Sequence, residues 1–325
     1  MRIGIVGTGL IGQRRAATAA EAGHEIIAVA DLDATRAAAV AAQLGARALP
    51  DWRAVVAAEL DIVVVATSHD SLALVALAAV EAGKHVLVEK PAGRSAREVL
   101  PILTAARARG RCVKVGFNHR FHPAMLKARE LATAGNLGPL MFVRGRYGHG
   151  GRVGYETEWR CRPEISGGGE AIDQGCHLID LSRWFLGDLR LAYGAVPTYF
   201  WPVPVDDNCF LALVGARGEM AWLHAGWTEW KNLFSFEIIG RDGKVAIEGL
   251  GGSYGVERLT YYRMLPGMGP PETTCWEYPF PDRSWSREFE EFVSAIQAGR
   301  EPNGNIADAV AALGIVDQLY GRDNE

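Results

Sequence analysis

The chain has 325 residues, of which 49% are hydrophobic and 22% are charged, and its formal net charge is −4. This balance is typical of a globular protein and excludes a disordered or fibrous chain, and the length is sufficient for two domains with separate cores. The negative charge argues against nucleic acid and anionic lipid as general partners.

The cysteines are five in number, widely spaced and without a C-x-x-C pair. This pattern predicts neither a zinc site nor a disulfide framework and favours a reducing compartment. A strand is predicted to begin at Arg2, which leaves no room for a signal peptide, and the apolar run at 72–80 is too short to span a bilayer. We therefore expect a cytoplasmic protein with no membrane contact.

The first 120 residues alternate short apolar runs with longer Ala-rich stretches. Apart from Lys114, the runs are continuously apolar and predict strands that are buried on both faces, at 3–6, 26–30, 62–66, 86–88 and 113–115. Helices are predicted between them at 10–22, 35–44, 71–81 and 95–109. This alternation predicts a doubly wound parallel sheet.

Residues 121–325 follow a different pattern. After a predicted helix at 123–134, apolar strands recur with turn residues between several of them, which predicts an antiparallel meander. These strands are predicted at 140–147, 209–214, 219–225, 234–239, 245–248 and 259–262. Further helices are predicted at 170–186, 286–298 and 306–320. We thus expect an α/β protein with domains at 1–120 and 121–325, in which the C-terminal helix can pack back on the first domain.

A glycine-rich turn follows the first predicted strand and opens the first predicted helix. It is a G-x-G-x-x-G run that reads Gly7-Thr8-Gly9-Leu10-Ile11-Gly12. Glycines permit a tight turn and close backbone approach, a helix N-terminus favours a pyrophosphate, and Asp31 at the end of the next strand can accept hydrogen bonds from ribose hydroxyls. The run alone is weak evidence, but this context predicts dinucleotide binding.

Asp31 also favours NAD over NADP, because its carboxylate would repel a 2′-phosphate. Arg36 is the nearest cation that could reverse this preference, and it lies on a predicted helix. A structural interpretation stays open in which the glycine turn binds no nucleotide and Asp31 only caps a helix.

Lys90 follows the predicted strand at 86–88, within the run Glu89-Lys90-Pro91. Ligands of open α/β sheets lie beyond the carboxyl ends of the strands, so Lys90 is expected to point toward the nicotinamide end of a bound cofactor. Taken alone, a lysine at a strand end is more often a solvated surface residue.

Asp173 and His177 follow a run of three glycines, Gly167 to Gly169. They are four residues apart, which places them on one face of the predicted helix, with Asp180 three residues further on. In the alternative without a catalytic role, the Asp173 carboxylate only interacts favourably with the dipole at the helix N-terminus, and His177 is a core histidine.

Taken together, the glycine turn, the Glu89-Lys90-Pro91 run and the three glycines before Asp173 and His177 resemble the glucose-fructose oxidoreductase / inositol dehydrogenase / rhizopine catabolism (Gfo/Idh/MocA) family of oxidoreductases. The resemblance covers nearly the whole chain. It implies an NAD-binding Rossmann domain followed by an α/β domain whose largely antiparallel sheet has an open face used for oligomer contacts, as in a homodimer or homotetramer.

The resemblance also implies roles for individual residues. Lys90, Asp173 and His177 would form the catalytic set. Cofactor contacts would come from the glycine turn with Leu10 and Ile11, and from Asp31, Thr67, Ser68, Glu89, Lys90 and Asn118. Candidates for the substrate pocket are Arg120, Tyr147, Trp159 and Arg160, which favour a polar or anionic substrate.

The chain departs from the family pattern after the strand at 62–66. Many members carry two prolines and then a histidine there, whereas this chain has Ser68, His69 and Leu72 at those positions. The implied contacts of this loop therefore depend on residues that the family does not share.

The implied chemistry is hydride transfer between nicotinamide and a secondary alcohol carbon of a sugar, cyclitol or sugar nucleotide. Removal of the hydroxyl proton needs a base, and histidine is the side chain that ordinarily titrates near neutrality, which selects His177. Lys90 would stabilise the developing alkoxide and Asp173 would orient the substrate hydroxyls or the Lys90 ammonium. No metal is needed, since Cys161, Cys176 and His177 lack zinc-ligand spacing.

Two other functions stay open. An NAD-assisted glycoside hydrolase of the same fold would borrow the hydride and return it, and net NADH production separates it from a dehydrogenase. A non-catalytic NAD-binding regulator would make Lys90 and His177 incidental.

The strand-rich second half is also rich in aromatic residues. A sheet face with this content is too apolar to be left exposed, which predicts a dimer or tetramer built on it. The residues expected on this face are Trp222, Trp227, Trp230, Phe234 and Phe236.

Overall fold

The computed structural model describes residues 1–267 and 269–322. They form two compact units. The first unit comprises Met1–Phe117, Glu164–Gly167 and Trp285–Leu313, and the second comprises the described parts of 118–163, 168–284 and 314–325. The chain first crosses between units next to the predicted boundary at 120, but it crosses again, so residues 285–313 belong with the first unit.

The first 117 residues alternate strands and helices. Their bounds are β1 (Arg2–Val6), α1 (Leu10–Glu21), β2 (Glu25–Ala30), α2 (Ala34–Leu44), β3 (Arg47–Ala48), α3 (Trp52–Ala57), β4 (Ile62–Val65), α4 (His69–Glu81), β5 (His85–Val88), α5 (Ala96–Arg109) and β6 (Val113–Val115).

The rest of the chain begins with a 3-10 helix at Asn118–Phe121 and is richer in strands. Its helices are α6 (Pro123–Thr133), α7 (Pro163–Ser166), α8 (Glu170–Asp173), α9 (Gly175–Leu186), α10 (Ser284–Ala298) and α11 (Ile306–Leu319). Its strands are β7 (Leu140–Gly148), β8 (Leu189–Ala195), β9 (Asn208–Gly215), β10 (Met220–Gly226), β11 (Leu233–Gly240), β12 (Gly243–Glu248), β13 (Glu257–Arg263) and β14 (Glu272–Tyr278).

The sheet of the first unit has the strand order β3-β2-β1-β4-β5-β6, and every neighbouring pair is parallel. This is the predicted doubly wound sheet, with its change of direction between β1 and β4. The short β3 and α3 were not predicted. Both residues of β3 are exposed, so they leave no periodic apolar signal.

Helix α10 supplies part of the core of the first unit. Phe289 and Phe292 are fully buried and pack with Ile3 and Ile5 of β1. Burial of two phenylalanine side chains stabilises the fold by roughly 1.5–3 kcal/mol each, which explains why this segment belongs with the parallel sheet although it is distant from it in sequence.

The sheet of the second unit has the strand order β14-β13-β12-β11-β7-β10-β9-β8. The predicted antiparallel pairing is correct for β11 to β13 and for β9 with β10, but β7 lies between β11 and β10 and pairs in parallel with β10. Strands β8 and β14 were not predicted. Four consecutive residues of β14, Glu272 to Cys275, are exposed, so this strand carries no apolar run.

The aromatic residues of this unit do not share one face, which corrects the expectation from the sequence. Phe234 and Phe236 are buried on the face of the sheet that packs against α9, and Trp227 is buried in a separate cluster. Trp222 is 58% exposed on the opposite face, and Trp230 lies in a loop. Alternation of side chains along a strand explains the division.

No helix within 1–267 and 269–322 is long and apolar enough to cross a membrane. Across the same residues, no group of three His, Cys, Asp or Glu side chains is arranged to hold a metal ion.

Candidate functional site

The glycine turn between β1 and α1 is closed by backbone contacts that leave no room for side chains. A Cβ at Gly7 would lie 2.4 Å from the carbonyl oxygen of Ala66, and one at Gly12 would lie 1.9 Å from that of Gly7. Gly7 also has φ +89°, a conformation that favours glycine. These two glycines therefore permit the close approach of α1 to the strands.

Gly9 differs from the other two because a Cβ there would meet no atom within 4 Å. It is the N-cap of α1 and provides no side-chain cap to the helix, whose first residues are Leu10 and Ile11. A side chain at this position would enter the open space beside the helix N-terminus. A phosphate binds favourably at such a place. The turn therefore fits the pyrophosphate of a dinucleotide.

Asp31 links the end of β2 to the glycine turn. Its Oδ2 accepts hydrogen bonds from the backbone N of Thr8 at 2.6 Å and from the Thr8 hydroxyl at 3.0 Å, and its Oδ1 accepts one from Arg36 Nη2 at 2.6 Å. Burial opposes ionisation, but these bonds, with one from the backbone N of Asp33, outweigh it and lower the pKa of Asp31. The carboxylate is thus ionised at neutral pH.

Glu89 is buried at the end of β5, immediately before Lys90. Its Oε1 accepts a hydrogen bond from Arg15 Nε at 2.6 Å, and Arg15 Nη1 reaches Glu288 of α10 at 2.6 Å. Lys114 Nζ lies 3.4 Å from the other oxygen of Glu288. Burial raises the pKa of Glu89, although the Arg15 charge opposes that rise. Charged side chains therefore link α1, β6 and α10 with Glu89, the residue that precedes Lys90.

The loop after β4 carries the predicted cofactor residues Thr67 and Ser68. Thr67 Oγ1 donates to the Ser68 carbonyl at 3.1 Å, and Ser68 Oγ donates to Asp70 at 2.6 Å. Ser68 is the N-cap residue of α4. His69, which departs from the family pattern, is buried with Nδ1 2.8 Å from the Ser166 carbonyl oxygen.

In the second unit, Asp206 holds the start of α8. Its carboxylate accepts hydrogen bonds from the backbone N of Gly169 at 2.9 Å, the backbone N of Ala171 at 2.8 Å and the hydroxyl of Tyr320 at 2.6 Å. A carboxylate that caps a helix N-terminus satisfies otherwise unpaired N–H groups. Sequence reasoning missed Asp206 because it is distant along the chain from the helix that it caps.

Asp173 and His177 do not lie on one continuous helix, which corrects the sequence prediction. Asp173 ends α8, Gln174 separates the two helices, and His177 lies in the first turn of α9. The Asp173 carboxylate accepts a hydrogen bond from Arg160 Nε at 3.2 Å. The structure therefore brings together Asp173 and Arg160, a predicted catalytic residue and a predicted substrate residue.

His177 is buried in a cluster of rings. It stacks on His119 with ring centroids 3.8 Å apart, and Tyr147 meets it edge-on at 6.1 Å. Burial is the main cause that raises the pKa of Tyr147 well above its ordinary value, followed by neighbouring Tyr254. His119 and Tyr254 were missed from the sequence. The position of His119 directly between Asn118 and Arg120 was the available signal.

The other predicted residues of this unit have the following surroundings. Arg120 is buried and donates two hydrogen bonds to Asp180, at 2.8 and 2.5 Å, so its place in a pocket wall stays a prediction. Asn118 donates to Ser284 Oγ at 3.0 Å. The guanidinium carbon of Arg160 lies over the ring of Trp159, 4.6 Å from the ring centroid.

Both halves of the chain match models of one protein family. Residues 1–117 match "Oxidoreductase family, NAD-binding Rossmann fold", and residues 125–246 match "GFO/IDH/MocA C-terminal domain".

Curated relatives include inositol 2-dehydrogenase 3 of Saccharopolyspora erythraea, which is 39% identical over 58% of this chain and 54% of that protein. The match thus spans about half the length of that relative. D-xylose 1-dehydrogenase (NADP(+)) 2 of Haloferax volcanii is 29% identical over 98% of this chain and 96% of its own length.

Among solved structures, levoglucosan dehydrogenase in complex with NADH and levoglucosan has a TM-score of 0.90 at 22% identity and covers 100% of this chain and 97% of that one. A likeness at this identity shows the fold alone. Together with the two family models, which cover most of the chain, it leads to one conclusion. The chain belongs to the Gfo/Idh/MocA family of oxidoreductases, and its first 117 residues are the NAD-binding Rossmann domain of that family.

Proposed function

We propose that the protein is an NAD-dependent dehydrogenase that transfers a hydride between nicotinamide and a secondary alcohol carbon of a sugar, cyclitol or sugar nucleotide. The observation that carries the proposal is the glycine turn. Its open side at Gly9 fits the diphosphate of a dinucleotide, and the ionised Asp31 fits the ribose. The substrate class follows the named relatives, which act on inositol, xylose and levoglucosan.

Each catalytic residue has a separate task in this proposal. Bound NAD supplies the hydride acceptor. His177 accepts the hydroxyl proton of the alcohol, and Lys90 stabilises the negative charge that develops on the same oxygen. Asp173, held by Arg160, orients the substrate hydroxyls.

NADH absorbance provides the test. The purified protein is mixed with NAD and, separately, with myo-inositol, D-xylose, levoglucosan and a UDP-sugar. Net NADH formation with at least one alcohol is expected. A hydrolase that returns the hydride would release sugar without net NADH, and a protein that binds NAD but produces neither signal would be a regulator.

Asp31 is expected to make the protein prefer NAD. The dissociation constant for NADP should be at least tenfold higher than that for NAD, a difference of about 1.4 kcal/mol, because a 2′-phosphate would meet the carboxylate. Isothermal titration calorimetry measures both constants, and comparable values would contradict the assignment.

The Asp31→Asn variant tests whether this carboxylate causes the preference for NAD. It removes the anion from Arg36 Nη2, so the guanidinium becomes able to pair with a 2′-phosphate and the preference for NAD should shrink. Asp51→Asn is the matched control, since Asp51 caps α3 through the backbone N of Ala54 and is not paired with Arg36. This control should leave the ratio of the two dissociation constants unchanged.

We also propose that the second unit forms a homodimer or homotetramer through the open face of its sheet. Trp222, Met220 and Tyr193 are 58%, 42% and 62% exposed on this face, beside the exposed guanidinium of Arg144. Exposed apolar patches of this kind are typical of interaction surfaces, which supports the proposal. Light scattering at micromolar concentration should report a dimer or tetramer, and a monomer would count against the proposal.

Trp222→Glu should lower the oligomer population by placing a charge in the interface. Trp230→Glu is the control, because Trp230 is 64% exposed in the loop between β10 and β11 and not on a strand of the sheet. Equal effects of the two substitutions would mean that the open face is not the interface.

A further inference from the structure

His119 makes the closest ring contact of His177. The ring centroids are 3.8 Å apart and the planes differ by 22°, so the two imidazoles stack face to face. Both residues are almost fully buried, with 5% and 4% of their surface exposed. A stacked ring in a packed interior restricts rotation of its partner about χ2.

His119 is itself held by its neighbours. Asn118 Nδ2 donates to Ser284 Oγ at 3.0 Å, and Asn118 Oδ1 lies within hydrogen-bond distance of His119 Nδ1, 3.2 Å away. The edge of the ring also contacts Tyr147 and Phe234, with centroids 5.1 and 5.9 Å away. His119 is thus a fixed surface for His177.

Other titratable groups lie on the elements packed against α9. The 3-10 helix carries Arg120, which is paired with Asp180 of α9 itself, and His122 beyond it is paired with Glu257. On the sheet, Tyr147 of β7 is buried beside His177, whereas His224 of β10 stacks on Phe210 on the opposite face. Helix α8 contributes Glu170 and Asp173.

We propose that His119 is a positioning residue, which holds the imidazole of His177 in the orientation and in the water-poor surroundings that proton acceptance requires. The inference rests on the proposed function, in which His177 is the base. Removal of the ring would leave a cavity beside His177, into which water can enter because the site is polar. Water would favour the protonated imidazole, and the side chain would gain other rotamers.

Protein with isotopically labelled histidine tests the positioning role of His119 without a substrate. The titration of His177, assigned by its loss in His177→Asn, is followed by NMR in the wild type and in His119→Ala, His119→Phe and His119→Leu. The midpoint should rise by about one pH unit in the alanine variant. It should stay at the wild-type value in the phenylalanine variant, which keeps a ring, and should rise in the leucine variant, which has similar bulk and no ring.

Turnover gives the second measurement. With the alcohol that supports NADH formation, His119→Ala and His119→Leu should lose about 10- to 100-fold in kcat while the dissociation constant of NAD is unchanged, and His119→Phe should recover most of the loss. Equal midpoints and kcat values in the leucine and phenylalanine variants would overturn the inference, even if the alanine variant fails to fold. If the wild type forms no NADH with any alcohol, the proposed function fails, and the NMR midpoints alone decide whether His119 positions His177.

Discussion

His177→Asn is expected to lower kcat for alcohol oxidation by about 10²- to 10⁴-fold, the usual contribution of a general base. The wild-type rate should rise with pH as the imidazole loses its proton, and this rise should be absent in the variant because asparagine does not titrate. The dissociation constant of NAD should barely change, since His177 belongs to the unit without the glycine turn. Steady-state kinetics between pH 5.5 and 9 and calorimetry with NAD measure these quantities.

Lys90→Met should reduce kcat by at least as much as His177→Asn, because in the proposed mechanism it removes the cation beside the developing alkoxide. The two losses should not add, since the proposed mechanism has both residues act on one proton transfer, and the double variant should be little worse than the poorer single one. His24→Asn is the matched control for His177→Asn. It makes the same substitution at a histidine of the first unit that contacts Met1 and Phe289. A His177→Asn protein that keeps more than about a tenth of wild-type turnover and retains the pH dependence would require a different base.

Glu288→Gln is expected to lower the free energy of unfolding by about 3–5 kcal/mol, because it removes one anion from a buried set of charges. Glu288 is fully buried and lies between Arg15 Nη1 at 2.6 Å and Lys114 Nζ at 3.4 Å. After the substitution, Arg15 still pairs with Glu89 at 2.6 Å, but both Arg15 and Lys114 lose the negative charge of Glu288. Urea denaturation followed by circular dichroism measures the change.

Glu290→Gln makes the same substitution two positions further along α10, where the side chain is exposed. It should change the free energy of unfolding by less than about 0.5 kcal/mol, as is usual at surface sites. Equal effects of the two substitutions would show that the buried charges contribute nothing specific to the free energy of unfolding, and that any such substitution in α10 has the same effect. A destabilisation confined to Glu288→Gln would also be expected to weaken NAD binding, since Arg15 lies on the helix that begins at the glycine turn.

The sequence alone was sufficient for the parallel sheet and the cofactor turn. Strands β1, β2, β4 and β5 carry continuous apolar runs because both faces of a parallel sheet are buried, and this signal is local. The glycine pattern is equally local, since Gly7 and Gly12 serve backbone contacts within one turn. Elements without such signals, such as the exposed β14, could not be predicted.

Tertiary structure alone decided how charged and titratable side chains are paired. Arg15 and Glu288 are 273 positions apart in sequence, and Asp206 and Tyr320 are 114 apart, so no pattern within a helix or strand relates them. The break at Gln174 was also invisible, because the apolar spacing continues across it and the Gln174 side chain does not cap α9. Helix periodicity places residues on a face of one element. Pairing across elements depends on which faces are buried together, and that follows from packing of the whole unit.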